Sequence, residues 1–500
     1  MKILFAKAPR YQWAFHSSHS SFWPPLGFCS MAAVLRENLD VKVAVRDLPA
    51  AGIGWKHVAP ILRHEKPDVL CLGEETASSH EALRLASLAK ELNPEVKVIV
   101  GGCHFTFTAE NTLLNNPVDF VVKHEGELTM LELSNFLLDG KDNFADIKGI
   151  AFRNGQRVVH TKPRPLLDME KLPMPAFDLL DMDHYGSQSH SHRDFVAVEH
   201  SRGCSSSCNF CVLWKQMASI NPKSGVPKPC YRTKSVKKTV DEIECLQQKF
   251  KRKTFCWVDP TWNADSHWNL EFCNEISKRK LDVDHAMWMR ADYIVRDDNK
   301  GIFSKLVKAG TRQVMIGIER INPSDLVFLN KRSNDYSTVA KAFNIVAEYP
   351  QVLSIASYIY GLPDETPKSL KEFYHVLKDL PFDVGMPIPL TPLPGTKYFA
   401  NNDLLEENDY RYYNFINPVM RSANMSRNWL LWRTFLSGLS SRGYREQFFR
   451  PDSTGKRRLN AINNLAASKR NITWKYFLNF VLQPFGKSVN YNIKPDWYDK

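Results

Sequence analysis

The chain has 500 residues, 43% of them hydrophobic and 24% charged. That globular balance excludes disorder, collagen-like repeats and coiled coil for the chain as a whole. The net charge is +12, and residues 411–500 alone hold 16 Lys and Arg against 4 Asp and Glu, so the basicity belongs to the tail and the body is balanced. Such a tail suits an anionic substrate, a membrane surface or nucleic acid, or is simply a solvated basic face. No apolar run reaches the roughly 20 residues of a membrane span. The start, Met1–Lys7, is too short for a signal peptide and reads as a strand. The location expected from these features is cytoplasmic.

Residues 1–140 alternate strand and helix signals. Strands are expected at Ile3–Ala6, Val41–Val45, Val69–Gly73, Val96–Val100 and Phe120–Val122, with helices at Val58–Arg63 and Glu81–Leu92. Short apolar runs separated by helices predict a doubly wound, Rossmann-like α/β domain. Ligands of such sheets sit beyond the strand carboxyl ends, which marks 74–79 and 101–106. Residues 141–194 read as a linker, with a small hairpin around Asn154-Gly155 followed by Pro163, Pro165, Pro173 and Pro175.

Residues 195–395 repeat a strand–loop–helix rhythm. Strands are expected at Phe195–Glu199, Thr254–Val258, His285–Met289, Gln313–Ile318, Leu353–Tyr360 and Val384–Pro389. Six strands with crossover helices predict a complete or partial β/α barrel with its functional groups at the strand C-termini. Residues 396–500 lose the rhythm and read as mainly helical, with amphipathic stretches at Trp429–Leu439 and Ile472–Leu482.

Of ten cysteines, three fall within eight residues, in Ser201-Arg-Gly-Cys204-Ser-Ser-Ser-Cys208-Asn-Phe-Cys211. The spacing is C-x3-C-x2-C, directly after the first strand of the second domain. Soft thiolates on one tight loop suit iron–sulfur or zinc. Three ligands leave one iron of a cubane open, unless Cys230 or Cys256 folds in. A zinc site completed by His200 or Cys230 is the alternative, although structural zinc usually pairs two such units and only one is present.

This loop resembles the signature of the radical S-adenosylmethionine (SAM) superfamily. Further positions match: Phe210 before the last cysteine, Asp259 in Val-Asp-Pro-Thr, Arg290 in Trp-Met-Arg-Ala-Asp, Gly317-Ile318-Glu319, and Gly361-Leu362-Pro363. The resemblance implies that Cys204, Cys208 and Cys211 hold a [4Fe–4S] cluster. It further implies that Phe210, Asp259, Arg290, Gly317, Glu319 and Gly361 surround SAM, and that a flavodoxin- or ferredoxin-type donor supplies electrons. The first domain resembles the cobalamin-binding domain that precedes this barrel in one subfamily, through Trp23–Gly27, Lys66–Leu72, Gly101–Thr106 and Val118–Glu127. The better-known Asp-x-His-x-x-Gly signature is absent, which argues against cobalt ligation through that motif. The implied cobalamin contacts are Thr76, Ser78, Ser79, Gly101, Gly102, His104, Thr106 and Glu125; the two glycines would let a flat macrocycle approach the backbone.

The segments Thr391–Thr396, Tyr410–Pro418 and Cys211–Lys215 resemble the anaerobic magnesium-protoporphyrin monomethyl ester cyclase group. The whole pattern implies a cobalamin-dependent radical SAM enzyme. A 5′-deoxyadenosyl radical would take hydrogen from an unactivated carbon of an organic small molecule, anionic or aromatic, and methylcobalamin would deliver a methyl group. The alternatives are an oxidative cyclase without methyl transfer and a non-catalytic iron–sulfur or cobalamin sensor. Nucleic acid is disfavoured, since no RNA-binding module is present.

Overall fold

The computed structural model describes residues 1–10, 23–185, 194–331, 333–400, 402–440 and 497–500. The expected helix at 472–482 and most of the basic tail lie outside these residues.

Two parallel sheets organise the chain. The first contains β1 (Lys2–Lys7), β2 (Lys42–Asp47), β3 (Val69–Gly73), β4 (Lys97–Gly101), β5 (Phe120–Val122), β6 (Ile150–Asn154) and β7 (Arg157–His160). Their order is β2-β1-β3-β4-β5-β6-β7. The first five strands are parallel, and β6 and β7 add as an antiparallel hairpin. The hairpin read from the sequence as part of a linker is therefore the edge of the first sheet. Helices Leu26–Asn38 and Glu127–Leu138 cover one face, and Val58–Glu65, Ser79–Leu92 and Cys103–Asn115 the other. Both faces are covered, so β3 and β4 are continuous apolar runs. The chain reverses its winding between β1 and β3, which opens a crevice beyond their carboxyl ends.

Next come β8 (Phe195–Val198), β9 (Ser201–Cys204), β10 (Ser219–Ile220), β11 (Pro227–Lys228), β12 (Cys230–Thr233), β13 (Thr254–Trp257), β14 (Asp284–Met289), β15 (Thr311–Glu319), β16 (Leu353–Tyr360) and β17 (Val384–Pro389). The second sheet runs β17-β16-β15-β14-β13-β8, wholly parallel and without a β8–β17 pair. It is the partial barrel expected from the six-strand rhythm. Side-chain caps from Ser235, Asp265, Asp335 and Thr366 start four of its helices. β9 and β12 form a separate antiparallel hairpin at the barrel mouth, and β10 and β11 a second, shorter one.

One hydrophobic cluster runs from Ile3, Phe28 and Leu133 through Phe177 and Leu180 to Trp257, Phe343 and Phe373. The proline-rich connector thus packs both units onto a shared core. Residues 402–426 carry one helical turn, Tyr410–Tyr412, before the helix Arg427–Ser440, which contains the expected Trp429–Leu439 stretch. Trp497 and Tyr498 are buried against the first domain, where the Trp55 amide donates to the Tyr498 carbonyl at 2.9 Å. Among the described residues no helix is long and apolar enough to cross a membrane.

Candidate functional site

The cysteine loop leaves β9 at Cys204 and is pinned at several points. Asp259, after β13, is fully buried. Its Oδ1 accepts from the amides of His200 and Ser201 at 3.2 and 2.6 Å and from the Ser201 hydroxyl at 2.5 Å, and lies 2.8 Å from His200 Nδ1. Through this oxygen the Asp259 carboxylate fixes the strand that launches the loop, while its Oδ2 is buried with no partner among the described residues. Gly203 holds φ +90, and a Cβ there would stand 2.2 Å from the Cys230 carbonyl oxygen, so β9 and β12 close only over glycine.

All three thiols lie within electrostatic reach of one another. Cys204 Sγ is 3.4 Å from Thr261 Oγ1 and accepts from the Ser206 amide at 3.4 Å. Burial pushes the Cys208 thiol up to about 12, and raises Cys211 against the pull of the Leu213 and Trp214 amides. Buried thiols of this kind become thiolates when a cationic centre stabilises the charge. Among the described residues no three His, Cys, Asp or Glu side chains gather closely enough for a single metal ion. A multi-iron cluster, with one thiolate per iron, sets its ligands wider apart. The two fourth ligands of the zinc alternative have other partners: His200 Nδ1 lies 2.8 Å from Asp259 Oδ1 and its Nε2 3.3 Å from the Tyr231 hydroxyl, and the Cys230 thiol donates to the Met217 carbonyl at 3.0 Å. Cys256 packs on Phe195 and Ala286 instead. The donor set fits a cluster held by three cysteines.

Beside Cys208 stands an ion pair that sequence reading missed. Lys331 Nζ donates to Glu319 Oε1 at 2.7 Å and to the Gly317 carbonyl at 3.1 Å, and its charge lowers the Cys208 thiol against the effect of burial. Glu319 has φ +57 at a register irregularity between β15 and β16, a backbone cost that a packed site supports. A Cβ on Gly317 would meet Glu319 Oε1 at 2.4 Å, so glycine makes room for the pair. Asn330 Nδ2 donates to the Ser207 carbonyl at 2.9 Å, and Asn334 Nδ2 to those of Gly317 and Ile318 at 2.6 and 2.7 Å. Arg290 joins the same group, donating to the hydroxyls of Ser206 and Ser333 while paired with Asp292 at 2.7 Å. A polar loop with no periodicity of its own therefore gathers the cluster loop, β14 and β15.

Phe210 packs beside Leu329, Ile359, Leu362 and Met420. Gly361 has φ +79 after β16, and the carboxylate of Glu365 accepts from its amide. Glu365 is paired in turn with Arg320 at 2.7 Å.

In the first domain, Gly102 (φ +93, ψ −174) opens the helix Cys103–Asn115 in a conformation that only glycine adopts freely. His104 is buried, its Nδ1 has no partner among the described residues, and burial pushes its pKa down to about 4. Its ring meets Tyr410 edge-on at 4.8 Å, and Tyr410–Tyr412 packs against Thr76–Ser78. Thr106 Oγ1 accepts from the His124 amide at 3.1 Å. Two of the expected cobalamin contacts already have protein partners. The Ser79 hydroxyl is buried and donates to the Thr76 carbonyl at 2.9 Å. Glu125 is spent on Arg232 at 2.7 Å and Arg202 at 3.3 Å. Ser78 donates to Glu74 at 2.9 Å. The glycine pair and the turn after β3 bring Thr76, Ser78, His104 and Thr106 together at the strand carboxyl ends, where all four are buried; the two side-chain-free residues beside the unpartnered His104 Nδ1 suit the close approach of a flat macrocycle once the Tyr410–Tyr412 turn moves aside.

The two sets of residues converge. Cys103, next to Gly102, lies within electrostatic reach of Cys211, and its helix packs on Leu213–Gln216. Lys215 Nζ donates to the Gly395 carbonyl at 2.6 Å, and Gly395 (φ +89) rests on the Phe107 ring, 2.5 Å from where a Cβ would stand.

The B12 binding domain family matches residues 17–134 and the radical SAM superfamily residues 198–377. An uncharacterised methyltransferase of Pyrococcus horikoshii is 30% identical over 431 residues, covering 84% of this chain and 88% of that protein. The anaerobic magnesium-protoporphyrin IX monomethyl ester cyclase of Rubrivivax gelatinosus is 29% identical, over 87% of this chain and 76% of the relative. In fold, the chain is similar to the radical SAM methyltransferase TsrM of Kitasatospora setae, solved with cobalamin and a [4Fe-4S] cluster. The TM-score is 0.63 at 15% identity, over 95% of this chain and 89% of that one. The cobalamin-dependent radical SAM enzyme OxsB also scores 0.63, at 16% identity, over 98% and 69%.

Proposed function

The chain belongs to the radical SAM enzymes that carry a B12-binding domain, and on that premise we propose that it is a C-methyltransferase. In this reading a 5′-deoxyadenosyl radical made from SAM takes hydrogen from an unactivated carbon of an organic small molecule, and a methyl group replaces that hydrogen. The observation that supports the reading is the packing of the helix Cys103–Asn115, which begins directly after Gly101-Gly102, on Leu213–Gln216, which directly follows the cysteine loop. A methyl carrier and a radical source must both reach one carbon, so their residues must face each other.

When bound, the cluster supplies the electron that splits the SAM sulfonium, and cobalamin supplies the methyl group. The chain supplies holding, orientation and shelter. Cys204, Cys208 and Cys211 would hold the cluster. Lys331 and Glu319 present one cation and one anion side by side, complementary to the carboxylate and ammonium of an amino-acid zwitterion such as the methionine end of SAM. Asp259 acts as a positioning residue for the loop. Gly101 and Gly102 would admit the corrin, with Thr76, Thr106 and His104 at its rim. Tyr410–Tyr412 packs on Thr76–Ser78 at that rim, and the Ser422 hydroxyl, donating to the Glu365 carbonyl at 2.9 Å, ties the chain that follows to the barrel.

The test uses anaerobically reconstituted chain, reductant and SAM labelled in its methyl group. Label appearing on protein-bound cobalamin supports the reading. Deoxyadenosine without label on cobalamin would remove methyl transfer and leave an oxidative reaction of the cyclase kind. No deoxyadenosine at all would leave a sensor.

A further inference from the structure

Just past β5, Lys123 and His124 line a cavity of about 220 Å³ that neither the three cysteines nor the glycine pair reaches. Lys215 closes it from the turn after the cysteine loop, and Phe107, Ile220 and Pro227 supply apolar walls. The cavity therefore lies between the first sheet and the β10–β11 hairpin. Its three polar side chains are two lysines and a histidine, and among the described residues no carboxylate lines it. Glu125, in an adjoining recess, is already held by Arg232 at 2.7 Å and Arg202 at 3.3 Å.

All three side chains keep donors to spare. His124 holds φ +61, and its carbonyl accepts from Gln216 Nε2 at 2.9 Å. Its Nδ1 lies 3.1 Å from the Gln216 carbonyl. A carbonyl only accepts, so Nδ1 carries the proton and Nε2 is left over. Lys215 spends one of its three ammonium protons on the Gly395 carbonyl at 2.6 Å. Lys123 makes no side-chain hydrogen bond or ion pair among the described residues, and burial alone pushes its ammonium below the usual lysine range. Burial does the same to Lys215, and it lowers His124 with help from the charge of Lys123. Cations kept from water without a counter-charge carry a desolvation cost that a bound anion would relieve.

We propose that this cavity is a binding site for the phosphate monoester group of a small molecule, clamped between Lys123 and His124 of the first domain and Lys215 beside the cysteine loop. A monoester carries nearly two negative charges at pH 7 and three strong acceptor oxygens, which match three donor groups. A carboxylate brings one charge and two oxygens. At ~30 Å³ per liquid water the space equals about seven waters, enough for the phosphate and the atoms next to it against Phe107 and Ile220. The phosphodiester of a cobalamin nucleotide tail shares this chemistry with a single charge, and the test separates the two sources. The site does not rest on methyl transfer.

The test titrates methyl phosphate and dimethyl phosphate by equilibrium dialysis into the full chain carrying its cluster and cobalamin, in phosphate-free buffer of fixed ionic strength. The expected result is saturable binding of methyl phosphate, about tenfold tighter than the singly charged diester. Bound monoester should also shield Lys123 and Lys215 from reductive methylation, mapped by mass spectrometry. Lys237 and Lys278, exposed on the helices Val236–Phe250 and Ser266–Arg279, should react as before. That readout uses the unaltered chain and so needs no variant to fold. Lys123→Met should weaken methyl phosphate about tenfold with iron and cobalamin per chain unchanged, and Lys123→Arg should keep most of the affinity. No saturable binding, or binding without protection of both lysines, would leave a solvated basic recess and overturn the proposal. Equal or tighter binding of dimethyl phosphate, or binding of the monoester only to chain lacking cobalamin, would give the cavity to the cofactor's tail and overturn it as well. Failure of methyl transfer with the monoester still bound would count against the proposed function alone.

Discussion

Arg202, two residues before the first cysteine of the loop, donates from Nη2 to Glu127 of the first domain at 2.6 Å. The same guanidinium holds Glu199 at 2.6 Å and Glu125 at 3.3 Å, and Glu127 also accepts from the Ser30 hydroxyl at 2.9 Å. One buried cation therefore joins the strand that launches the cysteine loop to the helix that follows β5.

Arg202→Met should be strongly destabilising. It leaves the buried carboxylates of Glu127 and Glu199 without their cation, a change that typically costs ~3–5 kcal/mol. Thermal unfolding at neutral pH should show a large fall in Tm. Acid adds a signature of its own. Arg202 holds Glu127 below the usual carboxylate range against the opposing effect of burial. A folded-state pKa below the unfolded one stabilises fully above the unfolded value and is lost as pH falls through the folded value. The unaltered chain should therefore lose this contribution below about pH 4, and the variant should have none to lose.

His104 predicts a second and separable acid limb. Its pKa falls to about 4 by burial, against about 6.5 unfolded. The unfolded chain binds the extra proton between those values, so stability falls as pH drops from 6.5 to 4, by ~3 kcal/mol if no rearrangement intervenes. His104→Phe keeps a ring against Tyr410 and Phe105 and removes the proton. Its stability should be flatter over that window, as urea unfolding at stepped pH would show. His285, pushed down to about 3 by burial, contributes a parallel slope that the variant leaves in place. An identical slope in His104→Phe would contradict the assignment.

Lys331→Met should weaken SAM binding about tenfold, the loss expected for one charge-assisted hydrogen bond of ~1.5 kcal/mol. It should also lower the reduction potential of the cluster, since a cation near Cys208 is removed. Lys331→Arg should restore most of the potential and less of the affinity, because a planar fork does not replace a point charge in a site shaped by Gly317. Redox titration followed by EPR reads the potential independently of turnover. A potential unmoved in Lys331→Met would mean that the lysine only supports Glu319.

Gly102→Ala should separate the two cofactors. Its φ of +93 with ψ of −174 costs a Cβ-bearing residue ~1–3 kcal/mol. Bound cobalamin should fall while iron per chain holds, as absorbance and metal analysis would show. Equal loss of both would point to unfolding rather than to the crevice.

Much of this architecture is legible in the amino-acid order. Each expected strand of both sheets is present within a residue or two, because buried parallel strands are uninterrupted apolar runs such as Val69–Leu72 and Val98–Val100. The cysteine spacing is local and survives any register error. What escapes is long-range and polar. Lys331 and Asn334 sit in a loop without periodicity, and only the fold brings them to Glu319 and Gly317. Asp259 and Glu125 carry the residue types of ligand contacts, yet the structure spends one on the β8–β9 turn and the other on Arg202 and Arg232. Arg202 lies inside the cysteine signature, and nothing in one dimension sets it beside Glu127. The hairpin at 150–160 was visible as a hairpin, but its addition to β5 depends on an exposed sheet edge that only the assembled domain has.

One chain is expected to hold a cysteine-bound cluster beside cobalamin. The most direct measurement is on anaerobically reconstituted protein: iron, sulfide and cobalamin per chain, then 5′-deoxyadenosine formed from SAM under reductant, with Cys208→Ala alongside. About four irons and bound cobalamin are expected, with deoxyadenosine that disappears in Cys208→Ala. Zinc in place of iron, or deoxyadenosine undiminished in Cys208→Ala, would contradict it.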